Sequence, residues 1–212
     1  MRNLSKVYHV GCIDIDNPVV NRKAGDSQEG NGLSISLHPD AWTQIAQLGG
    51  NDTYVLTNPE PRFFDGLDES MIKDASEWCL SEGYIKKATI FRLWAYDDEV
   101  GGKIYCDFTS RQKAKEELMS DEEDEDNYIE KIEGYKFDKA SKVYFASGHK
   151  ADVSLINNYI AIWYAEAHGY DGVWWNEALD PDGYSAPRGV IFQGKLDRWE
   201  IRRKRSSEED RS

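Results

Sequence analysis

The hydrophobic and polar positions of this chain follow two periods. Residues 33–37 alternate strictly between apolar and polar, which is typical of a β-strand with one buried face. Residues 152–168 instead carry apolar side chains three and four positions apart, which predicts an amphipathic helix that Gly169 ends. The apolar positions of that helix are Val153, Ile156, Ile160, Trp163, Tyr164 and Ala167.

The same kind of pattern predicts the other elements. Further strands are expected at residues 7–10, 54–57, 89–95, 103–108, 142–146, 173–175, 189–192 and 199–201. Further helices are expected at residues 38–48, 69–81 and 111–119. Because neither a repeat nor a linker interrupts this series, we expect a single α+β domain over residues 1–205, with a disordered tail over 206–212.

Charge and hydropathy narrow the class of protein. The formal net charge is −13, and the run from Asp121 to Asp126 predicts a solvated acidic loop near residues 120–127. A field of this sign repels phosphate backbones, so nucleic acid is disfavoured as a partner without being excluded. No run of 18 apolar residues predicts a membrane span, and the first residues lack the apolar stretch of a secretion signal. We therefore expect a cytoplasmic protein with no membrane partner.

Motifs for metals and phosphates are absent or incomplete. The three cysteines and four histidines are scattered, so their spacing predicts neither a disulfide framework nor a metal site. Residues 189–195 have the glycine and lysine spacing of a phosphate-binding loop. However, Leu196 stands where that loop needs a hydroxyl, and strand formers fill its interior.

One carboxylate has the setting of a functional group. Glu177 follows directly on an apolar strand, and a carboxylate there is costly unless it is paired or used. On an alternating strand Trp175 shares a face with Glu177, so an indole is expected beside the acid. The competing interpretation is two core tryptophans followed by a surface turn.

Two strands nearer the N-terminus offer polar groups. His9 lies on a predicted strand with Gly11 two residues later, so the strand offers an imidazole and a close backbone approach to a ligand. Ser34 and Ser36 share the polar face of the alternating strand, where paired hydroxyls suit a ribose or an amide. An ordinary half-buried histidine and a half-solvated strand are the alternatives.

Taken together, these segments resemble the ADP-ribosyltransferase superfamily. The resemblance lies in three motifs that occur in the family's order, and residues 55–145 take no part in it. The motifs are Tyr8-His9-Val10-Gly11, Gly32-Leu33-Ser34-Ile35-Ser36 followed by Pro39-Asp40, and Gly169-Tyr170-Asp171-Gly172-Val173 continued by Val190-Ile191-Phe192.

The resemblance implies a fold and a chemistry. It implies split mixed or antiparallel sheets with flanking helices, and NAD as the substrate. Glu177 is then the catalytic carboxylate, with Asp180 and Asp182 as alternatives because many members carry the acid just before the last strand, where this chain has Arg188-Gly189. His9 binds the adenine-side ribose or anchors the nicotinamide half, and the backbone of Val10 and Gly11 holds the carboxamide. Ser34 and Ser36 brace the site, Trp175 is a candidate for stacking on the nicotinamide, and no metal is required.

Three functions stay open on these grounds. The first is transfer of ADP-ribose from NAD to a macromolecular acceptor, with protein favoured over nucleic acid, as in a toxin or phage effector. The second is NAD hydrolysis on the same fold. The third is a non-catalytic interaction or inhibitor protein that uses its acidic surface to occupy a basic partner.

Overall fold

A computed structural model describes residues 4–16, 32–45, 49, 51–97, 102–120, 127–145, 153–179 and 186–204 of the chain. The protein has an α+β fold with one mixed and one antiparallel sheet, which confirms the coarse class predicted from the sequence. Two compact units are distinguished. We call residues 1–23, 29–72 and 161–212 the terminal unit, and residues 24–28 and 73–160 the central unit. The predicted single domain over residues 1–205 stays a prediction.

The terminal unit contains a seven-stranded sheet in the order β10-β3-β1-β2-β9-β8-β4. Its strands are β1 (Lys6–Gly11), β2 (Gly32–Ser36), β3 (Asp52–Thr57), β4 (Phe63–Asp65), β8 (Gly172–Asn176), β9 (Arg188–Phe192) and β10 (Glu200–Arg203). Neighbouring strands are antiparallel except β4 and β8, which are parallel. The short helix α1 (Pro39–Ile45) follows β2.

One face of this sheet, which we call the core face, is apolar. Leu33 and Ile35 of β2 are buried on it, as their alternation predicts, together with Tyr54 of β3 and Trp174 of β8. The cluster also contains Leu4, Val7, Ile13, Leu56, Phe63, Ile191, Leu196 and Trp199. Burial of this many large side chains is the main stabilising contribution to the unit.

Asp171 stabilises the connection between α5 (Ile156–Ala167) and β8 through hydrogen bonds and an ion pair. Its side chain is fully buried; it accepts the Arg62 backbone N–H at 2.7 Å and forms an ion pair with Arg198. Its backbone adds two bonds, donating to the Arg62 carbonyl and accepting from the Phe192 N–H. A buried carboxylate is tolerated when it is paired and hydrogen-bonded in this way. Asp171 therefore joins the chain before β4, the end of β9 and the segment before β10.

The central unit contains a three-stranded antiparallel sheet in the order β6-β5-β7. Its strands are β5 (Ile85–Asp97), β6 (Gly102–Phe108) and β7 (Tyr128–Phe137), and its helices are α3 (Arg111–Ser120) and α4 (Ser141–Phe145). β5 and β6, which contain the predicted strands at residues 89–95 and 103–108, pair antiparallel. Two longer helices belong partly to each unit: α2 (Glu69–Ser81) and α5 (Ile156–Ala167), the latter preceded by a 3₁₀ turn at Val153–Leu155.

The predicted bounds of α2 and the predicted stop of α5 at Gly169 are confirmed, whereas α5 begins at Ile156 after the 3₁₀ turn. Asp68 accepts the backbone N–H groups of Ser70 and Met71, which caps α2. Hydrogen bonds from the Ser70 hydroxyl and the Met71 N–H hold the pKa of the Asp68 carboxyl below its usual value. Gly83 and Gly169 follow the two helices with φ values of 74° and 73°, a conformation that favours glycine.

Three predicted or unassigned segments differ in the structure. The predicted strand at residues 142–146 is wrong, because the chain forms helix α4 from Ser141 to Phe145. A run of four apolar residues does not separate strand from helix by itself. β4 and β7 were not predicted: β4 has only three residues, and β7 carries charged residues and Gly134 at positions that break the alternation.

Other predicted features lie outside the described residues, among them the end of the helix at 46–48, the acidic run 121–126 and the tail 206–212. Within the described part of the chain, no helix is long and apolar enough to cross a membrane.

Candidate functional site

The sheet of the terminal unit opens between β1 and β2. β1 pairs with β3 through six residue pairs, but its register with β2 comprises one pair, Tyr8 with Ser36. Beyond that pair, the imidazole Nδ1 of His9 lies 2.9 Å from the carbonyl oxygen of Ser34. A side chain therefore bridges the two strands where a backbone ladder would otherwise continue.

Gly11 makes room for the His9 ring. A Cβ at this position would lie 2.6 Å from Nε2 of His9 and 3.1 Å from its Cε1, far inside van der Waals contact. The glycine also has a φ of 155°, which L side chains rarely adopt. The spacing of His9 and Gly11 thus has a physical reason: the glycine lets the imidazole lie flat over the end of its own strand.

The carboxylate of Glu177 is held by a buried indole. Trp174, which is fully buried, donates its Nε1–H to Oε1 of Glu177 at 3.0 Å, while Glu177 itself is exposed. The sequence predicted an indole beside this acid but assigned it to Trp175. The register shifts between Trp174 and Asn176, and such an irregularity breaks the simple alternation on which that assignment depends; the place of Trp175 beside Glu177 stays a prediction.

His9 and the Trp174–Glu177 pair belong to the same face of the sheet. His9 pairs in register with Tyr54, a member of the core-face cluster. Trp174 pairs with Gly189, which in turn pairs with Ile35, and paired residues of antiparallel strands point to the same side. β2 and β9 lie between β1 and β8, so three strand spacings separate the two groups by roughly 14 Å along the sheet.

Gly189, within β9, also serves this arrangement. A Cβ on Gly189 would lie 2.7 Å from Cε3 of Trp174 and 2.4 Å from the carbonyl oxygen of Val173. The indole therefore lies across Gly189, which positions its N–H toward Glu177. Trp174 is the residue of the candidate site that sequence reasoning missed, and the glycine at 189 was the available signal for it.

The two serines predicted to brace the site point away from it. Tyr8 and Ser36 are register partners, so Ser34 and Ser36 project from the face opposite His9. The buried Ser36 hydroxyl donates to the Pro187 carbonyl at 2.6 Å and accepts the His38 N–H at 3.0 Å. The structure thus brings together His9 and the backbone of Ser34, but not the serine hydroxyls.

The remaining predicted residues are distributed as follows. Val10 is buried, and its side chain alternates with that of His9, so only its backbone lies near the opening between β1 and β2. Trp175 is half-buried at the irregular end of β8, and the alternative acids Asp180 and Asp182 lie outside the described residues.

A separate cleft of about 390 Å³ includes neither His9 nor Glu177 in its lining. Its walls are formed by Tyr8, Leu37, His38, Pro39, Asp40, Ala41, Leu179 and Lys204. Leu179 follows Glu177 by two residues, so the segment that carries the acid also forms part of this cleft.

Among the side chains that the structure describes, no group of three or more histidines, cysteines and acids is arranged to hold a metal ion. No protein-family model matches the chain, and neither the curated proteins nor the solved structures contain a match.

Proposed function

We propose that the protein is an NAD-dependent ADP-ribosyltransferase whose catalytic carboxylate is Glu177. The observation that carries the proposal is the common face of His9 and the Trp174–Glu177 pair on one sheet that opens beside His9. The ordered motifs that resemble this superfamily support the same function. The proposal includes the ADP-ribosyltransferase-like fold, NAD as the substrate and a macromolecular acceptor.

The chemistry requires stabilisation of positive charge. Cleavage breaks the bond between ribose C1′ and the ring nitrogen of nicotinamide, and the bonding electron pair leaves with nicotinamide. The ribose then resembles an oxocarbenium ion, which an adjacent carboxylate stabilises, as in glycoside cleavage. The acceptor's nucleophile forms the new bond to C1′ and loses its proton.

Glu177 has two properties that suit this role. Its carboxylate is exposed and thus accessible to a ligand, yet one oxygen is oriented by the buried N–H of Trp174. Orientation before the substrate arrives reduces the reorganisation needed in the transition state.

His9 and its neighbours suit the binding role. The imidazole is fixed by Ser34 and lies over Gly11, so it presents a defined edge to a ribose or to the nicotinamide half. The backbone of β1 at Val10 and Gly11 lies where the register with β2 has ended, which leaves an edge suited to the carboxamide.

Nicotinamide release from NAD tests the proposal. Purified protein is compared with Glu177→Gln, His9→Ala and Trp174→Phe, in the presence of protein and nucleic-acid acceptors. We expect the Glu177 variant to lose 10²-fold or more of the rate, on the order of the loss seen when one charge-stabilising group is removed. Glu200→Gln, a change in an exposed acid of β10, is the matched control and keeps the wild-type rate.

The outcomes separate the candidate functions. Release without labelling of any acceptor supports an NAD glycohydrolase. A silent wild type, together with salt-sensitive binding to a basic protein that survives Glu177→Gln, supports the non-catalytic interaction protein. Loss of activity in Asp180→Asn or Asp182→Asn, with Glu177→Gln fully active, transfers the catalytic role to the following turn.

A further inference from the structure

The central unit carries an exposed aromatic row on its sheet. Trp94 of β5 pairs in register with Tyr105 of β6 and with Tyr128 of β7, so the three rings share one face. Tyr105 and Tyr128 are 45% and 47% exposed, whereas Leu93, on the alternate face, is 3% exposed. The ring centroids of Trp94 lie 5.2 Å from Tyr105 and 6.4 Å from Tyr128.

One half of the row already holds a guanidinium. Arg92 lies 4.0 Å above the centroid of Tyr105 and 5.7 Å from that of Trp94. Its Nε and Nη2 donate to the two carboxylate oxygens of Asp107 at 2.8 and 2.9 Å. The carboxylate and the ring together hold the cation, and the bond to Asp107 raises the pKa of Arg92 above its usual value.

The other half of the row contains a second carboxylate. Glu130 of β7 accepts the indole N–H of Trp94 at 3.0 Å, beside the exposed ring of Tyr128, which stacks at 26° to the indole. No ion pair joins Glu130 to a lysine or arginine among the described side chains. Arg92 carries one positive charge beside the two carboxylates of Asp107 and Glu130, so the row keeps a net negative charge.

Charge and geometry therefore select a cationic occupant. A phosphate backbone is repelled by Glu130 and by the chain's net charge of −13. An arginine or lysine side chain can form an ion pair with the Glu130 carboxylate and cation–π contacts with the rings of Trp94 and Tyr128. We propose that Trp94, Tyr105, Tyr128 and Glu130 form a docking surface for a basic segment of a partner protein. This surface is independent of NAD chemistry.

Peptide binding tests the proposal. The probe is a fluorescein-labelled peptide of alternating glycine and arginine, and fluorescence anisotropy is recorded with the full-length protein. We expect Trp94→Leu and Glu130→Gln each to weaken binding about fivefold, as the loss of one cation–π contact or one charge predicts. A peptide with citrulline in place of arginine keeps the shape but not the charge, and we expect it not to bind.

Glu133→Gln is the matched control. Glu133 is an exposed acid of the same strand, three residues from Glu130 and therefore on the other face, so its variant keeps wild-type affinity. Circular dichroism of each variant confirms that the fold is retained, and Tyr128→Leu repeats the test if Trp94→Leu fails to fold. Equal weakening by both glutamate variants, no binding of the arginine peptide, or tighter binding of a single-stranded oligonucleotide would each overturn the proposal.

Discussion

Asp171→Asn measures how strongly the buried carboxylate fastens the terminal unit. The wild-type side chain accepts the Arg62 N–H at 2.7 Å through one oxygen and binds Arg198 through the other. An asparagine keeps a single acceptor oxygen, so one of the two partners faces an N–H group instead. The charge that strengthens both bonds is also removed.

The expected loss is about 2 to 3 kcal/mol. A hydrogen bond to a charged group contributes about 1.5 to 3 kcal/mol, and the Asp171 carboxylate that accepts the Arg62 N–H is fully buried, so water does not compensate the loss of its charge. Arg198 is 42% exposed, and water compensates much of its lost partner, so its share is discounted. In a chain of this length the loss lowers the melting temperature by roughly 4 to 12 °C.

Thermal unfolding followed by tryptophan fluorescence and circular dichroism provides the assay. Asp197→Asn is the control, because it makes the same chemical change in an exposed residue of the 3₁₀ turn Gln193–Arg198, next to Arg198, and we expect it to melt with the wild type. Melting temperatures of the two variants within about 1 °C of each other would refute the assigned role of Asp171.

Two further predictions concern the packing of each unit. Gly172→Ala should prevent β8 from pairing with β9, because the new Cβ would lie 1.8 Å from a backbone carbonyl oxygen of β9. We expect this variant to be insoluble or unfolded. Gly194→Ala is the control, and we expect it to stay soluble and folded because no atom lies within 4 Å of its new Cβ. Burial raises the pKa of the Cys79 thiol to about 12, so thiol reagents at pH 8 should label the exposed Cys12 and Cys106 and leave Cys79 until the protein unfolds. The pKa of the Cys79 thiol is 9.0 in the unfolded chain and about 12 in the folded protein, so the free energy of unfolding should fall as pH rises from 9.0 toward 12. Urea titrations at several pH values measure this free energy. Labelling of all three thiols at equal rates in native protein would contradict the burial of Cys79.

Local chemistry made much of the fold predictable. The stop at Gly169 and the two faces of β2 each depend on a few neighbouring residues, and both occur as predicted. The central sheet was harder, because β7 is stabilised by pairing with β5 across the chain rather than by its own alternation. Tertiary pairing of this kind has no signal in a short window.

The candidate site was predictable in its residues but not in its contacts. His9 and Glu177 were identified from their positions on or directly after strands, and His9 shares the core face of one sheet with Trp174, the residue that bonds Glu177. The partner of Glu177 was assigned to Trp175 because strict alternation was assumed, and the irregularity after Trp174 breaks that alternation. The role of Ser34 also differs: its backbone carbonyl, which no sequence pattern distinguishes, is the group that contacts His9.

The most direct test of the central claim is a titration of the protein with NAD, followed by NMR of the Trp174 indole N–H and of the His9 ring. Trp174→Phe and His9→Ala assign the two signals. We predict that both signals shift with the same dissociation constant, because one ligand contacts the imidazole and the carboxylate that the indole holds. Saturation of the protein with NAD while either signal stays unchanged would contradict a shared site.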